Sequence, residues 1–192
     1  LDLPLLLGTQ HHPQRLHDVL GDLILDREHV ERFAVLQGED ARLADAGARM
    51  QVDAGATVGV FRDDARVLIL GSLPGARSLA EARYYANPRN QFWQLIGAVM
   101  GVDLQPLDYD ARLACLTEQR IALWDVIAAG HRRGSLDAAL RVVERSDLDW
   151  LARQLPGLRA VAFNGKLAAR QAPDAIRLDR LTLPSSSPAN TA

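Results

Sequence analysis

The sequence predicts an α/β protein of three layers (α/β/α), in which helices cover both faces of a central, mainly parallel sheet of four strands. Short, continuously apolar segments alternate along the chain with longer segments whose apolar residues recur at helical spacing. Each apolar segment also stops abruptly at glycine or polar residues, as a buried strand does on entering a loop. Because parallel neighbours need a long crossover connection, the intervening helices favour a parallel sheet.

Four segments have the apolar character of strands that are buried on both faces. They span residues 66–70, 121–124, 159–163 and 176–183.

The segments between these strands supply the helices. In residues 90–100, Phe92, Ile96 and Val99 share one face with Leu95, and Gly101 offers a stop. The other predicted helices span residues 108–118, 135–143, 147–155 and 166–171.

Residues 1–59 are predicted to form a separate, partly helical N-terminal extension, and the main domain spans residues 60–192. Residues 26–36 have helical spacing, and residues 39–50 fit a second short helix. The pair His11 and His12 has no spaced third ligand, so an exposed loop is a better interpretation than a metal site. We identify no catalytic or metal-binding motif in this region of the sequence.

The composition excludes several classes of protein. The chain has 192 residues, 48% of them hydrophobic, which suffices for one core. No apolar run approaches the ~20 residues needed to span a bilayer. The single cysteine, Cys115, excludes an intramolecular disulfide and any cysteine-ligated metal cluster, which fits a reducing, cytoplasmic location. Residues 1–65 carry a net charge of −6 and residues 66–192 one of +4, a weak bias compatible with a polyanionic partner.

All four strands end in glycine or polar residues. Gly71 and Ser72 follow the first, Asp125 the second, Asn164 the third and residues 185–187 the fourth. Ligands of open parallel sheets bind beyond the carboxyl ends of the strands, so these residues predict a site there. The loop at residues 84–93, YYANPRNQFW, adds flat aromatic rings and amides that suit a planar, uncharged ligand such as a nucleobase.

Other common sites are absent from the sequence. The loop after the first strand has neither Walker spacing nor G-x-G-x-x-G. Ser72 does not lie in a G-x-S-x-G elbow, and His131 lies in an arginine- and glycine-rich turn. No H-E-x-x-H motif or carboxylate cluster is present, so we expect neither a metal nor a cofactor.

Six blocks of sequence carry a resemblance to a known family. The chain resembles the hypoxanthine-DNA (DNA-deoxyinosine) glycosylases of the uracil-DNA glycosylase superfamily over about residues 60–192. The mismatch-specific uracil glycosylases, which have a similar aromatic loop, are the nearest alternative. The blocks are GSLPG at 71–75, the loop at 84–93, IALWDV at 121–126, GSLD at 134–137, FNG at 163–165 and LPSSSPA at 183–189.

The resemblance implies a monomeric, monofunctional DNA repair enzyme without a metal or membrane partner. Such an enzyme extrudes a deaminated base from DNA, hypoxanthine first and uracil as a second substrate, and hydrolyses its N-glycosidic bond to leave an abasic site. Two other functions remain open: a non-catalytic module that binds damaged DNA or nucleotides, and a hydrolase of small nucleosides.

The resemblance also implies catalytic residues. Related glycosylases carry a catalytic Asn or Asp at the third position of the first block, where this chain has Leu73, which cannot polarise water. The resemblance therefore places water handling on Asn90, and Asn164 is the second catalytic candidate. Asn90 could instead be only a helix cap, since Asn is favoured there.

Two further groups of residues are candidates. We expect Tyr85 to stack on the extruded base, while Tyr84 is as well explained by the core and Asp125 by a helix cap. The only lysine, Lys166, fits a phosphate contact better than a Schiff base. The loop at residues 184–189 resembles the one that enters the DNA helix. The base-binding candidates are Ser72, Leu73, Tyr85, Trp124 and Asp125, and the DNA-binding candidates are Arg89, Lys166, Ser185, Ser186 and Ser187.

Overall fold

The structure is a computed structural model that describes residues 49–51, 59–132, 140–173 and 178–188. Within these ranges the chain forms strands and helices in the following order: β1 (Arg49–Gln51), β2 (Gly59–Phe61), β3 (Val67–Gly71), α1 (Ala76–Glu81), α2 (Phe92–Met100), α3 (Tyr109–Glu118), β4 (Ile121–Asp125), β5 (Ile127–Arg132), β6 (Leu140–Arg145), α4 (Leu148–Gln154), β7 (Ala160–Asn164), α5 (Lys166–Gln171) and β8 (Asp179–Leu183).

The four predicted strands, β3, β4, β7 and β8, are parallel neighbours in the order β4-β3-β7-β8, which confirms the mainly parallel sheet. The sheet has two strands more than predicted, because β2 pairs antiparallel with β4 and β1 pairs antiparallel with β2. Both added strands have only three residues, too few to give an apolar pattern in the sequence.

Alternate residues of the parallel strands feed two separate cores, which makes the fold three-layered as predicted. On one face, Ile69 and Leu123 pack with helices α2 and α3. On the other face, Leu70 and Phe163 pack with helices α4 and α5. No helix of the described residues is both long and apolar enough to cross a membrane.

Four of the predicted helices are confirmed, and an aspartate caps two of them. The Asp108 carboxylate accepts from the Ala111 N–H at 2.8 Å at the start of α3. The Asp147 carboxylate accepts from the Trp150 N–H at 2.8 Å at the start of α4. Such caps satisfy amides that have no partner within the helix.

The helix predicted at residues 135–143 is wrong for residues 140–143, and residues 135–139 lie outside the described ranges. Leu140–Arg145 is strand β6, which pairs antiparallel with β5, and the register of this pairing shifts around Ala129 of β5. Val142 and Val143 are β-branched and favour a strand, and Val142 is the register partner of Gly130 on β5.

The N-terminal predictions fall mostly on residues outside the described ranges. The helix predicted at residues 26–36 is among them. Of the helix predicted at residues 39–50, Arg49 and Met50 are described, and both belong to strand β1. The division at residue 60 stays a prediction.

Gly59 provides a test of how β2 docks on the sheet. A Cβ atom at this position would overlap the indole ring of Trp124. Because backbone and a large buried ring must then move apart, we expect Gly59→Ala to lower the free energy of unfolding by about 1–3 kcal/mol. At Gly157, where an added Cβ comes no closer than 3.5 Å to another residue, alanine serves as the matched control. Equal unfolding free energies of the two variants in urea would contradict the close packing of Gly59 against Trp124.

Candidate active site

The carboxyl ends of β3, β4 and β7 form one edge of the sheet. Gly71 is the register partner of Asp125. The Val126 N–H donates to the Gly71 carbonyl at 2.9 Å, and the Ile127 N–H donates to the Ser72 carbonyl at 3.0 Å. The predicted residues of the first two strands are therefore adjacent.

Asp125 is the buried acid of this edge, with only 7% of its surface exposed. Its Oδ1 lies so close to Gly71 that a Cβ there would overlap it. Its Oδ2 is buried and has no hydrogen-bond partner among the described residues. Burial raises the pKa of Asp125 to about 7, and a hydrogen bond from the Tyr84 hydroxyl opposes that shift. A carboxyl in this state exchanges protons near neutral pH.

Tyr85 is held in a left-handed backbone conformation, with φ 51°. A non-glycine residue pays roughly 1–2 kcal/mol for this conformation, so its neighbours must fix it. On one side, the Tyr84 N–H donates to the Tyr109 hydroxyl at 2.8 Å; on the other, the Ala86 N–H donates to the Ser78 hydroxyl at 3.2 Å. The loop thereby turns the Tyr85 side chain toward the edge of the sheet.

The Tyr85 ring is half-buried and stacks on Phe92 with 3.8 Å between centroids and 18° between planes. Its hydroxyl lies 3.5 Å from the position of a Cβ on Gly71, the same position that contacts Asp125. Burial, with the nearby Asp125 charge, raises the pKa of Tyr85. The neighbouring Tyr84 is fully buried in the core, where burial likewise raises its pKa.

Asn90 lies just before helix α2 and is half-buried. Its Oδ1 accepts from the Phe92 N–H at 2.9 Å, a local turn that leads into α2, while the N-cap position itself is Gln91. Its carboxamide nitrogen makes no hydrogen bond to the residues described in the structure. Asn90 therefore keeps a donor and one acceptor lone pair for other partners.

Asn164 is clamped to the loop after β8 by two hydrogen bonds to Ser186. Its Nδ2 donates to the Ser186 hydroxyl at 2.8 Å, and its Oδ1 accepts from the Ser186 N–H at 2.9 Å. The Ser186 carbonyl in turn accepts from the Gln91 N–H at 3.0 Å. Ser186 thus ties the end of β7 to the loop that carries Asn90, and sequence reasoning missed this contact.

Trp124 lies apart from the other predicted base-binding residues. Its ring packs edge-on against Phe61 and beside Trp150 in the core under α4 and α5. Because successive side chains of a strand point to opposite faces, Trp124 and the adjacent Asp125 point apart. Ser72 and Leu73 are half-buried in the turn that follows β3.

The predicted DNA-binding residues differ in exposure. Arg89 and Lys166 are exposed, Ser185 and Ser187 are half-buried, and only 3% of Ser186 is exposed. With its side chain buried and bonded to Asn164, Ser186 is an internal link rather than a surface residue. Among the residues that the structure describes, no three His, Cys, Asp or Glu side chains are placed to hold a metal ion.

Comparison with known proteins identifies relatives of this chain. A family model described as the Uracil DNA glycosylase superfamily matches residues 58–192. Two curated relatives named hypoxanthine DNA glycosylase, from Methanosarcina acetivorans and Methanosarcina barkeri, are 41% and 40% identical over 133 residues, covering 68% of this chain and 84% of each relative.

A solved structure agrees with them. A solution NMR structure of a candidate uracil DNA glycosylase from Methanosarcina acetivorans matches with a TM-score of 0.64 and 40% sequence identity, covering 69% of this chain and 83% of that one. The family match, the relatives and the solved structure agree, and the chain belongs to the uracil DNA glycosylase superfamily.

Proposed function

We propose that this protein is a monofunctional DNA glycosylase that removes hypoxanthine from DNA. The observation that carries the proposal is the 41% identity to a hypoxanthine DNA glycosylase over 84% of that relative's length. The strand ends, where Tyr85, Asp125 and Asn90 stand at one edge of the sheet, supply the groups that such a reaction needs.

The reaction is the hydrolysis of deoxyinosine in DNA. The bond between C1′ of the sugar and N9 of hypoxanthine breaks, and its electron pair leaves with the base. The oxygen of a water molecule bonds to C1′, and the proton that this water gives up passes to the departing base or to solvent. Positive charge develops on the sugar, so the enzyme must position the water and bind the leaving base.

In this proposal Asn90 handles the water. A lone pair of its Oδ1 accepts from the water, while its carboxamide nitrogen donates to the substrate. Asn164, the second catalytic candidate, hydrogen-bonds to Ser186 through both the nitrogen and the oxygen of its carboxamide. We therefore assign Asn164 chiefly to holding the loop at residues 184–188 against the Asn90 loop.

The extruded base stacks on the half-buried ring of Tyr85, on the face turned away from Phe92. The backbone amides of Ser72 and Leu73, at the end of β3, bind the leaving base. Arg89 and Lys166, both exposed, contact phosphates of the DNA, as do Ser185 and Ser187. We further propose that the enzyme acts as a cytoplasmic monomer and without a metal.

The test is release of base from a labelled duplex that carries one deoxyinosine. We expect abasic product, which alkali or heat converts into a strand break, and none from the undamaged duplex. A duplex with uracil forms a second arm, because the matching NMR structure is described as a candidate uracil DNA glycosylase. If only the uracil duplex gives abasic product, the substrate is uracil and the proposal of hypoxanthine is wrong.

The non-catalytic alternative rests on Leu73, which stands where related glycosylases have a catalytic residue. It predicts tight binding of the deoxyinosine duplex with no product after prolonged incubation. Free inosine is the third substrate to include, since release of hypoxanthine from inosine but not from DNA would indicate a nucleoside hydrolase instead.

A further inference from the structure

We propose that Asp125 recognises the extruded base as a neutral carboxylic acid, its hydroxyl donating to the carbonyl of the base while its other oxygen accepts from the adjacent ring N–H. This inference rests on the proposed function. It identifies Asp125 as the side chain that recognises the base, and it makes this recognition depend on the proton of the Asp125 carboxyl.

The first support is the orphaned oxygen. Asp125 is buried at the end of β4, and its Oδ2 has no hydrogen-bond partner among the described residues. Buried polar atoms are almost always hydrogen-bonded, and leaving one unsatisfied destabilises a fold. The unsatisfied oxygen at the candidate active site is explained if the bound substrate supplies its hydrogen-bond partner.

The second support is position. The place where a Cβ would stand on Gly71 touches both the Asp125 carboxylate and the Tyr85 hydroxyl. Because glycine has no Cβ, the Asp125 Oδ1 can approach the backbone there, and the Tyr85 hydroxyl lies 3.5 Å from the same point. A base that stacks on the Tyr85 ring therefore has Asp125 close to its edge.

The third support is the surrounding charge. The titratable groups coupled to Asp125 are Tyr84 and Tyr85, in the loop before α2, and Tyr109, on α3. Burial raises the pKa of all three phenols, so they stay neutral at physiological pH. Within the described part of the chain, no arginine or lysine forms an ion pair with Asp125 or lowers its pKa. Among the groups that the structure describes, only the hydrogen bond from the Tyr84 hydroxyl favours the charged carboxylate, and burial outweighs it.

The chemistry of the acid matches the chemistry of the base. Hypoxanthine, uracil and xanthine each present a carbonyl beside a ring N–H, which needs a donor beside an acceptor. A protonated carboxyl offers that pair, whereas a carboxylate offers two acceptors and repels the carbonyl. The substrate class is thus a base with a lactam edge, bound below the pKa of Asp125, which burial raises to about 7.

The decisive variant is Asp125→Asn, whose carboxamide has the same shape and a permanent donor beside an acceptor. In single-turnover assays with substrate below saturation, wild-type cleavage of the deoxyinosine duplex is expected to fall more than about tenfold between about pH 6 and about pH 8.5, since this regime reports the free enzyme. Asp125→Asn should lose a few-fold at the acidic end and show no further alkaline fall. Asp125→Leu, which removes both polar atoms, should stay about 100-fold below the acidic wild-type rate at every pH.

A binding assay keeps the test independent of turnover. The probe is a duplex with 2′-fluoro-deoxyinosine, whose fluorine slows cleavage of the glycosidic bond. Wild-type preference for this duplex over the undamaged one should weaken about tenfold across the same pH range, and Asp125→Asn should keep its preference. A duplex with 1-methylhypoxanthine, which lacks the ring N–H, should show little preference in either protein.

The outcomes separate this inference from the proposed function. Cleavage of deoxyinosine with equal pH profiles in wild type and Asp125→Asn would overturn the role of Asp125 and leave the glycosylase intact. Lesion binding with the expected pH signature but without cleavage would support Asp125 and overturn catalysis. Absence of both cleavage and lesion preference would overturn both.

Discussion

Replacement of Asn90 by alanine is expected to slow the release of hypoxanthine from DNA on the order of 10²–10³-fold, the loss typical when a group that stabilises a transition state is removed. Within the described part of the chain, the Asn90 carboxamide nitrogen makes no hydrogen bond and its Oδ1 keeps a spare lone pair. The resemblance places Leu73 where related glycosylases have a catalytic residue. The measurement is the single-turnover rate with enzyme in excess.

Two variants separate catalysis from helix capping. The Asn87 side chain accepts from the Arg89 N–H at 3.0 Å, as the Asn90 side chain accepts from the Phe92 N–H. Asn87→Ala therefore measures the cost of losing such a turn. We expect it to stay within about threefold of wild type. Asn90→Ser keeps an oxygen that can cap the helix but has no carboxamide, and we expect it to be as slow as Asn90→Ala. Full activity of Asn90→Ser would reduce Asn90 to a cap.

The parallel sheet was predictable because its strands are buried on both faces. Residues 67–70 and 160–163 are apolar throughout, and the residues after them are glycine or polar. Both the strands and the edge that carries the site can therefore be predicted from the sequence. The helix start at residues 90–92 and the aspartate caps are local features of the same kind. Family resemblance then supplied the chemistry.

The errors and omissions arise from contacts between distant residues. Strand β6 depends on its pairing with β5, and the residues around Val142 do not by themselves indicate that pairing. The link between Asn164 and Ser186 joins residues 22 positions apart, so a run of serines suggested phosphate contacts instead. Trp124 could not be assigned to a face without the phase of β4. Asp125 was predicted as a pocket residue, but its unsatisfied oxygen became visible only in three dimensions.

The buried carboxyl also makes a prediction about stability, in which Asp125→Asn is more stable than the wild type at alkaline pH. Folding raises the pKa of Asp125 from its ordinary value of 3.8 to about 7. The folded protein therefore binds this proton more tightly than the unfolded chain, and the contribution to stability is full below about pH 4 and lost as pH rises toward 7. At about 1.4 kcal/mol for each unit of pKa, the loss is roughly 4 kcal/mol. Asparagine has no proton to lose.

The expected result is thus that the free energy of unfolding depends differently on pH in the wild type and in Asp125→Asn. In urea at about pH 4 the unfolding free energies should agree within about 1 kcal/mol, and at about pH 8 the Asn variant should exceed the wild type by roughly 3–4 kcal/mol. Glu118, whose pKa burial also raises, is present in both proteins and cancels in the difference. Parallel pH curves would mean that Asp125 is charged when folded, and a charged Asp125 could not donate to the carbonyl of a base. The stability measurement, which needs no DNA, therefore tests the protonation state on which base recognition by Asp125 depends.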